Sequence, residues 1–475
     1  MDAIRELGLS VAPATVVGER GLASAYPVSD LASAAVGAAG SAVAGLLVAL
    51  GHAEPAARVR RELAEAWFRS PLDPVGWAPP PAWDALAGDY RARDGWVRLH
   101  TNAPHHRRAA LRALGLDASA EREVVEAAVA ALDADEVEQR VVEAGGAAAA
   151  LRSAAAWAAH PQGRAVADEP LVARVAAPAG EPRPASASTW RPAAGRPLAG
   201  LRVLDLTRVL AGPTATQLLA GLGAEVLRVD PPDWDEPGVL PIVMSGKRAA
   251  RLDARTPAGS ARLVELLAGA DVLVHGLRPG ALEGLGLDLA TRHRIRPGIV
   301  EVALDAYGFT GPWAGRRGFD SLVQMSSGIA DTGMRAAGAA PDETDPDAHP
   351  APLPVQALDF ATGYLVAAAA LAGLAERLRE GGPDGSGAGS IRRLSLARTA
   401  VELERMRAAS ATADNASPAA VTQAPILDPI PDPTLVATAW GPARRLAPPL
   451  EIDGVEFDWP VEAGPLGRHP AEWAD

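Results

Sequence analysis

Between Leu201 and Leu304 the chain alternates short apolar runs with helical stretches, and this rhythm limits its fold more than any other feature. LRVLDL (201–206), AEVLRVD (224–230), DVLVHG (271–276) and GIVEVAL (298–304) read as strands. GPTATQLLAGLG (212–223) and ARTPAGSARLVELLAGA (254–270) read as the helices between them. Strands alternating with helices make βαβ units, hence a parallel sheet covered by helices. The expected fold class is α/β, a Rossmann-like parallel sheet with a smaller α+β domain.

The chain before this region has a different texture. Residues 1 to about 175 are Ala-rich and mostly helical by pattern, with an acidic amphipathic stretch at 121–146 and a strand-like DGWVRLHT at 94–101. AAPAGEPRPASASTWRPAAGRP (176–197) reads as a linker. Polar tracts at 335–352, 381–390 and 408–434 read as loops or disordered insertions. The expected division is therefore 1–68, a helical segment packing on the large domain; 69–175, a small domain; 176–197, the linker; 198–405, the large domain; 406–434, a flexible tract; and 435–475, a closing segment. Leu31 to Leu50 carries no charge and has the length of a bilayer span. It is mostly Ala, Gly and Ser, so a helix buried between protein layers is expected instead. The opening MDAIRELGLS shows no signal-peptide pattern.

Charge and cysteine content narrow the partners. With 45 basic against 58 acidic residues the net charge is −13, which argues against nucleic acid or an anionic membrane as partner. The absence of cysteine removes thiol nucleophiles and Cys-ligated metal, and fits a cytoplasmic protein. A single lysine, Lys247, stands among the 45 basic residues.

The first βα turn, DLTRVLAGPTAT (205–216), lacks GxGxxG, so neither nicotinamide nor flavin is expected. Its Gly-Pro pair delivers the chain onto a helix start, which suits a phosphate or simply serves the turn. His100, His105 and His106 cluster in HTNAPHH without a completing carboxylate or Cys pattern, so a surface loop is expected there and no metal site. Asp30 and Asp359 each precede an Ala-rich helix, a turn, a short strand and a second helix. This internal echo is either a chance of low complexity or a partial duplication. Either Asp could serve as a helix cap.

The segment 197–230 resembles the opening of class III CoA-transferases, the CaiB/BaiF family. The likeness continues through GKRAARLDARTPAG (246–259), ADVLVHGLRPGALEGLGLD (270–288), GFTGPWAGRRGFDSLVQMSSG (308–328) and ALDFATGY (357–364). DGWVRLHTNAPHHRRAALRALG (94–115) and 141–165 are similar to the family's small domain, which normally follows the large one. Residues 449–473 are similar to its closing segment. One fold with its small-domain piece placed first, as in a circular permutation, is the simplest account of that order.

The resemblance implies transfer of coenzyme A between an acyl-CoA and a carboxylic acid, in a homodimer, with CoA entering as substrate. It makes Asp359 the nucleophile, attacking the thioester to give a mixed anhydride and then an aspartyl-CoA thioester. A place at a helix start favours the carboxylate anion. Arg208, Val209, Leu210, Ala211 and Lys247 fall on the family's CoA-binding positions, with Arg248, Arg278 and Tyr307 as further contacts. Three positions depart from it: basic residues of the family fall on Pro231, Gly284 and Asp305. Its glycine-rich active-site loop has no clear counterpart in 74–90. Acyl-CoA racemases of the family carry a His where Phe319 stands, and Phe319 cannot move a proton. A racemase or isomerase, and a non-catalytic acyl-CoA-binding relative, remain the alternatives.

Overall fold

The computed structural model describes residues 3–18, 21–178, 190–193, 195–338, 348–381, 387–413 and 433–474. Much of the 176–197 linker, of the 335–352 and 381–390 tracts and of the 406–434 tract lies outside the described residues.

The centre is a seven-stranded sheet of β1 (Ala173–Val175), β2 (Arg202–Leu206), β3 (Glu225–Asp230), β4 (Lys247–Arg251), β5 (Val272–His275), β6 (Val300–Asp305) and β7 (Ser390–Ser395). Its order is β4-β3-β2-β5-β6-β7-β1. All neighbours are parallel except β1, which lies antiparallel on β7 at the edge. The connections run outward from β2 in one direction and from β5 in the other. Such a doubly wound order opens a crevice at the carboxyl ends of β2 and β5, where the order reverses. The inner strands β2, β5 and β6 are largely apolar because helices cover both of their faces.

Two long helices, α1 (Val28–Ala49) and α4 (Ala357–Gly381), pack along each other. Both are long and apolar enough to cross a bilayer, and both are buried inside the fold. Enclosure on every side explains their composition, since small side chains let helix backbones approach without a polar face. Gly363 marks the closest approach. A Cβ there would stand 2.5 Å from the Ala211 carbonyl oxygen and 2.9 Å from Thr214 Cβ. Those residues belong to α2 (Ala211–Gly221), the helix after β2. The start of α4 is thereby held against the first βα turn.

An antiparallel unit with its own core lies within the expected small domain. Strands Gly88–Arg91, Trp96–Leu99 and Ala148–Ala150 pack on helices Pro104–Ala113, Arg122–Ala130 and Ala134–Glu143. Tyr90, Val97, Val125, Val129, Val137 and Val141 fill that core. Trp96, Ala147 and Ala149 dock it on Leu322 and Met325 of α3 (Asp320–Ser326). Glu138 fastens the junction, bonded to Arg316 at 3.0 Å and Arg152 at 2.8 Å.

Several expectations need correction. The N-terminal segment is not purely helical: Thr15–Val17 and Ala57–Arg60 flank α1 as a parallel pair, joined by Leu450–Ile452. The amphipathic stretch 121–146 is two helices, broken where the Asp94 carboxylate accepts the Ala134 N–H. Leu72–Pro74 and Ala173–Val175, assigned by sequence to the small domain, pair instead with Gly441–Arg445 and β7. The 406–434 tract begins as helix, because α5 (Leu396–Ala413) runs to Ala413. Strand β4 was not anticipated, since KRAAR offers neither alternation nor β-branched residues. Trp190, in the expected linker, is buried and donates to the Pro197 carbonyl.

Candidate active site

The crevice at the strand ends is a cavity of about 350 Å³. Leu206 to Val209 after β2, Gly276 to Arg278 after β5, Leu304 to Ala306 at β6 and Leu396 after β7 form its floor. Asp359 opens into it, and also into a second cavity of about 310 Å³ on its other side.

The first βα turn is strained where the cavities meet. Val209 has φ 64, the one positive-φ residue other than glycine among those described. A β-branched side chain in the left-handed region is a true outlier, of a kind concentrated at functional sites. The turn is held by Glu236, whose carboxylate accepts the Val209 N–H at 3.0 Å. Val209 lines both cavities, with Ala211 in the first and Leu210 in the second.

Cations crowd the first cavity. Four arginines, Arg208, Arg278, Arg316 and Arg317, line it, and beside them lies His105, an imidazole held toward its neutral form. Arg208 lies over the Trp234 ring at 4.4 Å, 3.8 Å from Asp230. Arg316 is spent on Glu138, and Arg317 donates to the Gly145 carbonyl. Burial and then Arg278 lower the Arg317 pKa, and burial and then Arg317 lower that of His105. Like charges gathered against one another around a cavity form an anion site.

Asp359 is the third residue of α4 and sits inside its first turn, not at the cap. Its backbone N–H donates to Asp320 Oδ2 at 2.9 Å. Asp320 also accepts from Gln324, whose side-chain oxygen takes the Leu353 N–H at 2.7 Å. This chain of bonds fixes the approach to α4. The expected helix-start stabilisation of the Asp359 anion is overturned in the net. Burial first, then repulsion from Asp320, push the Asp359 carboxyl well above the usual carboxylate range. Burial raises Asp320 itself to about 6. Burial likewise raises Asp305, in the first cavity, to about 7.

Asp30 holds the matching place in α1, also the third residue, and the elements that follow it repeat those after Asp359. Its surroundings differ. Its carboxylate is half exposed and paired with Arg61 at 2.7 Å.

Three expected CoA contacts are displaced. Lys247 is wholly buried beneath the first turn, so it cannot reach a ligand in the cavity. Its Nζ donates to the Pro213 carbonyl and Thr216 Oγ1, both at 2.6 Å, and lies 3.4 Å from Asp205 Oδ2. Burial lowers its pKa to about 8. A compact ammonium with three donors fits this space and a planar guanidinium does not, which accounts for the one lysine. Tyr307 is also buried, its hydroxyl 3.0 Å from Ser326 Oγ. Arg248 faces Glu225 and the Glu472 carbonyl, away from both cavities. Pro231 and Gly284 do not line the cavity, while Asp305 does.

The histidine loop is a surface loop only in part: Asn102 and His105 are exposed, and His105 and His106 already belong to helix Pro104–Ala113. His100 and His106 are buried, and His100 stacks flat on Phe319 with ring centroids 3.6 Å apart and planes at 4°. Burial drops both imidazoles to a pKa of about 3, so they stay neutral. His100 lines the second cavity. The aromatic signal that could have found this, a Phe at a site position with a His-rich loop elsewhere, is visible only once the units dock. Among the described residues no cluster of three or more His, Asp or Glu could hold a metal.

Residues 198–429 match CoA-transferase family III. The family-III region contains β2 to β7 and every Asp and Arg named in the first cavity. Over 206 residues the chain is 35% identical to a probable fatty acyl-CoA transferase of Mycobacterium tuberculosis, covering 40% of this chain and 49% of that protein. A succinyl-CoA:glutarate CoA-transferase of Mus musculus is 37% identical over 199 residues, 39% of this chain and 43% of its own. A succinyl-CoA–D-citramalate CoA-transferase of Chloroflexus aurantiacus is 33% identical over 200 residues, 39% and 47%. The chain thus matches less than half the length of each of these relatives. A CaiB/BaiF family protein of Brucella suis is similar in structure at 27% identity and a TM-score of 0.39, over 52% of this chain and 65% of that one.

Proposed function

We propose that the protein transfers coenzyme A from an acyl-CoA to a carboxylic acid, with Asp359 as nucleophile. One observation carries the reading: the Asp359 carboxyl lies where a cation-walled cavity meets a largely apolar one. The first suits the phosphates of CoA, held by Arg208, Arg278 and Arg317. The second suits the acyl group. An ionised Asp359 oxygen attacks the thioester carbonyl, the C–S bond breaks, and CoA leaves as thiolate with the electron pair. The thiolate attacks the aspartyl carbonyl of the mixed anhydride, freeing the donor acid and leaving an aspartyl-CoA thioester. An acceptor carboxylate displaces the thiolate again, and its return to the acceptor carbonyl gives the new acyl-CoA and restores Asp359. Below about pH 7 Asp305 offers a protonated carboxyl to the anion site instead of a repelling charge.

The test is transfer itself, with purified protein, a panel of acyl-CoA donors and free carboxylic acids. Arg278→Ala and Arg317→Ala should each raise KM for acyl-CoA by about tenfold or more, with a smaller effect on kcat. An unchanged KM in both would remove the phosphates from this cavity. A racemase or isomerase is the second reading, weakened by His100, which shares the second cavity with Asp359 but is held by burial at a pKa of about 3, too weak a base to take an α-proton. Deuterium entering the acyl α-carbon from heavy water would reveal it. Binding of acyl-CoA without any turnover would mark a non-catalytic relative.

Two broader features belong to the same proposal. A cytoplasmic homodimer is its setting, on the resemblance alone. A permuted order of segments is supported by the separate core of 86–150 standing before the parallel sheet it docks on.

A further inference from the structure

Glu236 stands behind the first cavity and serves three donors at once. Its Oε2 accepts the Val209 N–H at 3.0 Å and the Trp234 indole N–H at 2.9 Å. Its Oε1 accepts from Arg228 at 2.5 Å. Arg228 is wholly buried in β3 and is also bonded to Asp230, at 2.8 and 3.2 Å. The carboxylate is thus tied to the sheet on one side and to the cavity wall on the other.

Both groups on the cavity side bear on one residue, Arg208. The Val209 N–H belongs to the peptide that joins it to Arg208, so the bond to Glu236 fixes the plane from which the Arg208 side chain leaves the backbone. The Trp234 ring is the surface on which the Arg208 guanidinium lies, 4.4 Å away. Neither arrangement is one the chain adopts unaided. Val209 is β-branched and stands at φ 64, a conformation that persists only where its surroundings impose it. An unheld arginine side chain visits many rotamers and gives up that freedom when it meets an anion. Asp230, the carboxylate paired with Arg208, is 3.8 Å off and already taken by Arg228, so the Arg208 donors stay open to the cavity.

We propose that Glu236 is a positioning residue for the anion site: it holds the strained turn and the indole together, so that Arg208 is in place before an anion arrives. The inference rests on the CoA-transfer reading for the identity of that anion, the phosphates of CoA. Because the ordering precedes binding, the gain falls on affinity and not on the bond changes at Asp359.

The test follows acyl-CoA binding by calorimetry and transfer kinetics in parallel, at one salt concentration. Glu236→Gln leaves three donors facing one acceptor oxygen. It should weaken binding and raise KM by about tenfold or more with little change in kcat. Adding Val209→Gly to that variant should recover most of the affinity, since glycine takes positive φ without being held there. A mere scaffold would behave otherwise: its loss would lower kcat and stability together, and removing a further side chain would not repair it. Trp234→Leu keeps Glu236 on Arg228 and serves if Glu236→Gln fails to fold. It should raise KM in the same way, by taking the surface from under Arg208. Unchanged affinity in Glu236→Gln or Trp234→Leu, or a loss in Glu236→Gln that Val209→Gly does not lessen, would overturn the proposal. A wild type that binds no acyl-CoA would defeat the CoA-transfer reading instead, and urea melts then decide the hold on the turn. Val209→Gly should shift the midpoint more favourably in wild type than in Glu236→Gln, and an equal shift in both would overturn the proposal.

Discussion

Replacing Asp320 by Asn removes one charge from the buried pair while leaving an amide oxygen where Asp320 Oδ2 now accepts the Asp359 N–H at 2.9 Å. Two unit charges about 5 Å apart repel by roughly 3 kcal/mol at an effective dielectric of about 20. That is about two decades in an ionisation equilibrium. Freed of this repulsion, Asp359 ionises at lower pH, so the reactive carboxylate is present further into the acid range. Above about pH 6, where Asp320 is ionised, kcat/KM of Asp320→Asn should exceed wild type by about ten- to a hundredfold at equal pH while Asp359 is still largely protonated, and the gain should fade below that pH as Asp320 takes up its proton. At high pH it should fall modestly below wild type, because a less basic carboxylate is a weaker nucleophile. The substitution also turns an NH2 toward the Gln324 side-chain donor that Asp320 now accepts, so the start of α4 loses about 1–3 kcal/mol, partly offset by relief of repulsion. The assay is formation of the acceptor's CoA thioester from acyl-CoA and a carboxylic acid between about pH 5 and pH 9. An acid limb that stays in place, or activity lowered equally at every pH, would refute the coupling and reduce Asp320 to a scaffold for α4.

Two further outcomes follow from other buried charges. Lys247→Met should cost about 3–5 kcal/mol in urea denaturation, because it strands Asp205 without its ammonium. A variant of wild-type stability with weakened acyl-CoA binding would instead return Lys247 to the cavity. Asp305 has a native pKa of about 7, above the usual carboxyl value, so the native state holds the extra proton between the two. The stability it contributes is present below the unfolded value and is lost as pH rises through about 7. Asp305→Asn should thus gain on the order of 3 kcal/mol over wild type at pH 8 and almost nothing at pH 4. A gain independent of pH in thermal or urea melts would contradict the burial argument.

The sheet was legible because its strands announce themselves. The runs at 201–206, 224–230, 271–276 and 298–304 each became a strand within a residue or two. KRAAR did not, because its strand character comes from pairing with β3 and not from its own side chains. Lys247 shows how a position can stand out while its role stays hidden. Its singularity was visible, but only the fold shows that the ammonium serves three acceptors under a turn and not a phosphate. Asp359 was singled out by the family resemblance, its helix place being shared with Asp30, yet its ionisation was misjudged, since Asp320 reaches it only through the docking of α3. The walls of the second cavity were the least legible. Phe68 and Arg69 lie far from Asp359 in sequence and carry no motif, and the His-rich run around His100 gives no sign of its place, so tertiary packing alone assembles them.

Covalent trapping tests the central claim most directly. Wild-type protein given acyl-CoA and hydroxylamine should be captured as a hydroxamate on one carboxylate, and peptide mapping should place it on Asp359. Asp359→Asn should lose both the adduct and turnover. Asp30→Asn, whose carboxylate is held by Arg61 on the surface, should keep them. An adduct on Asp30, or full turnover by Asp359→Asn, would contradict the account.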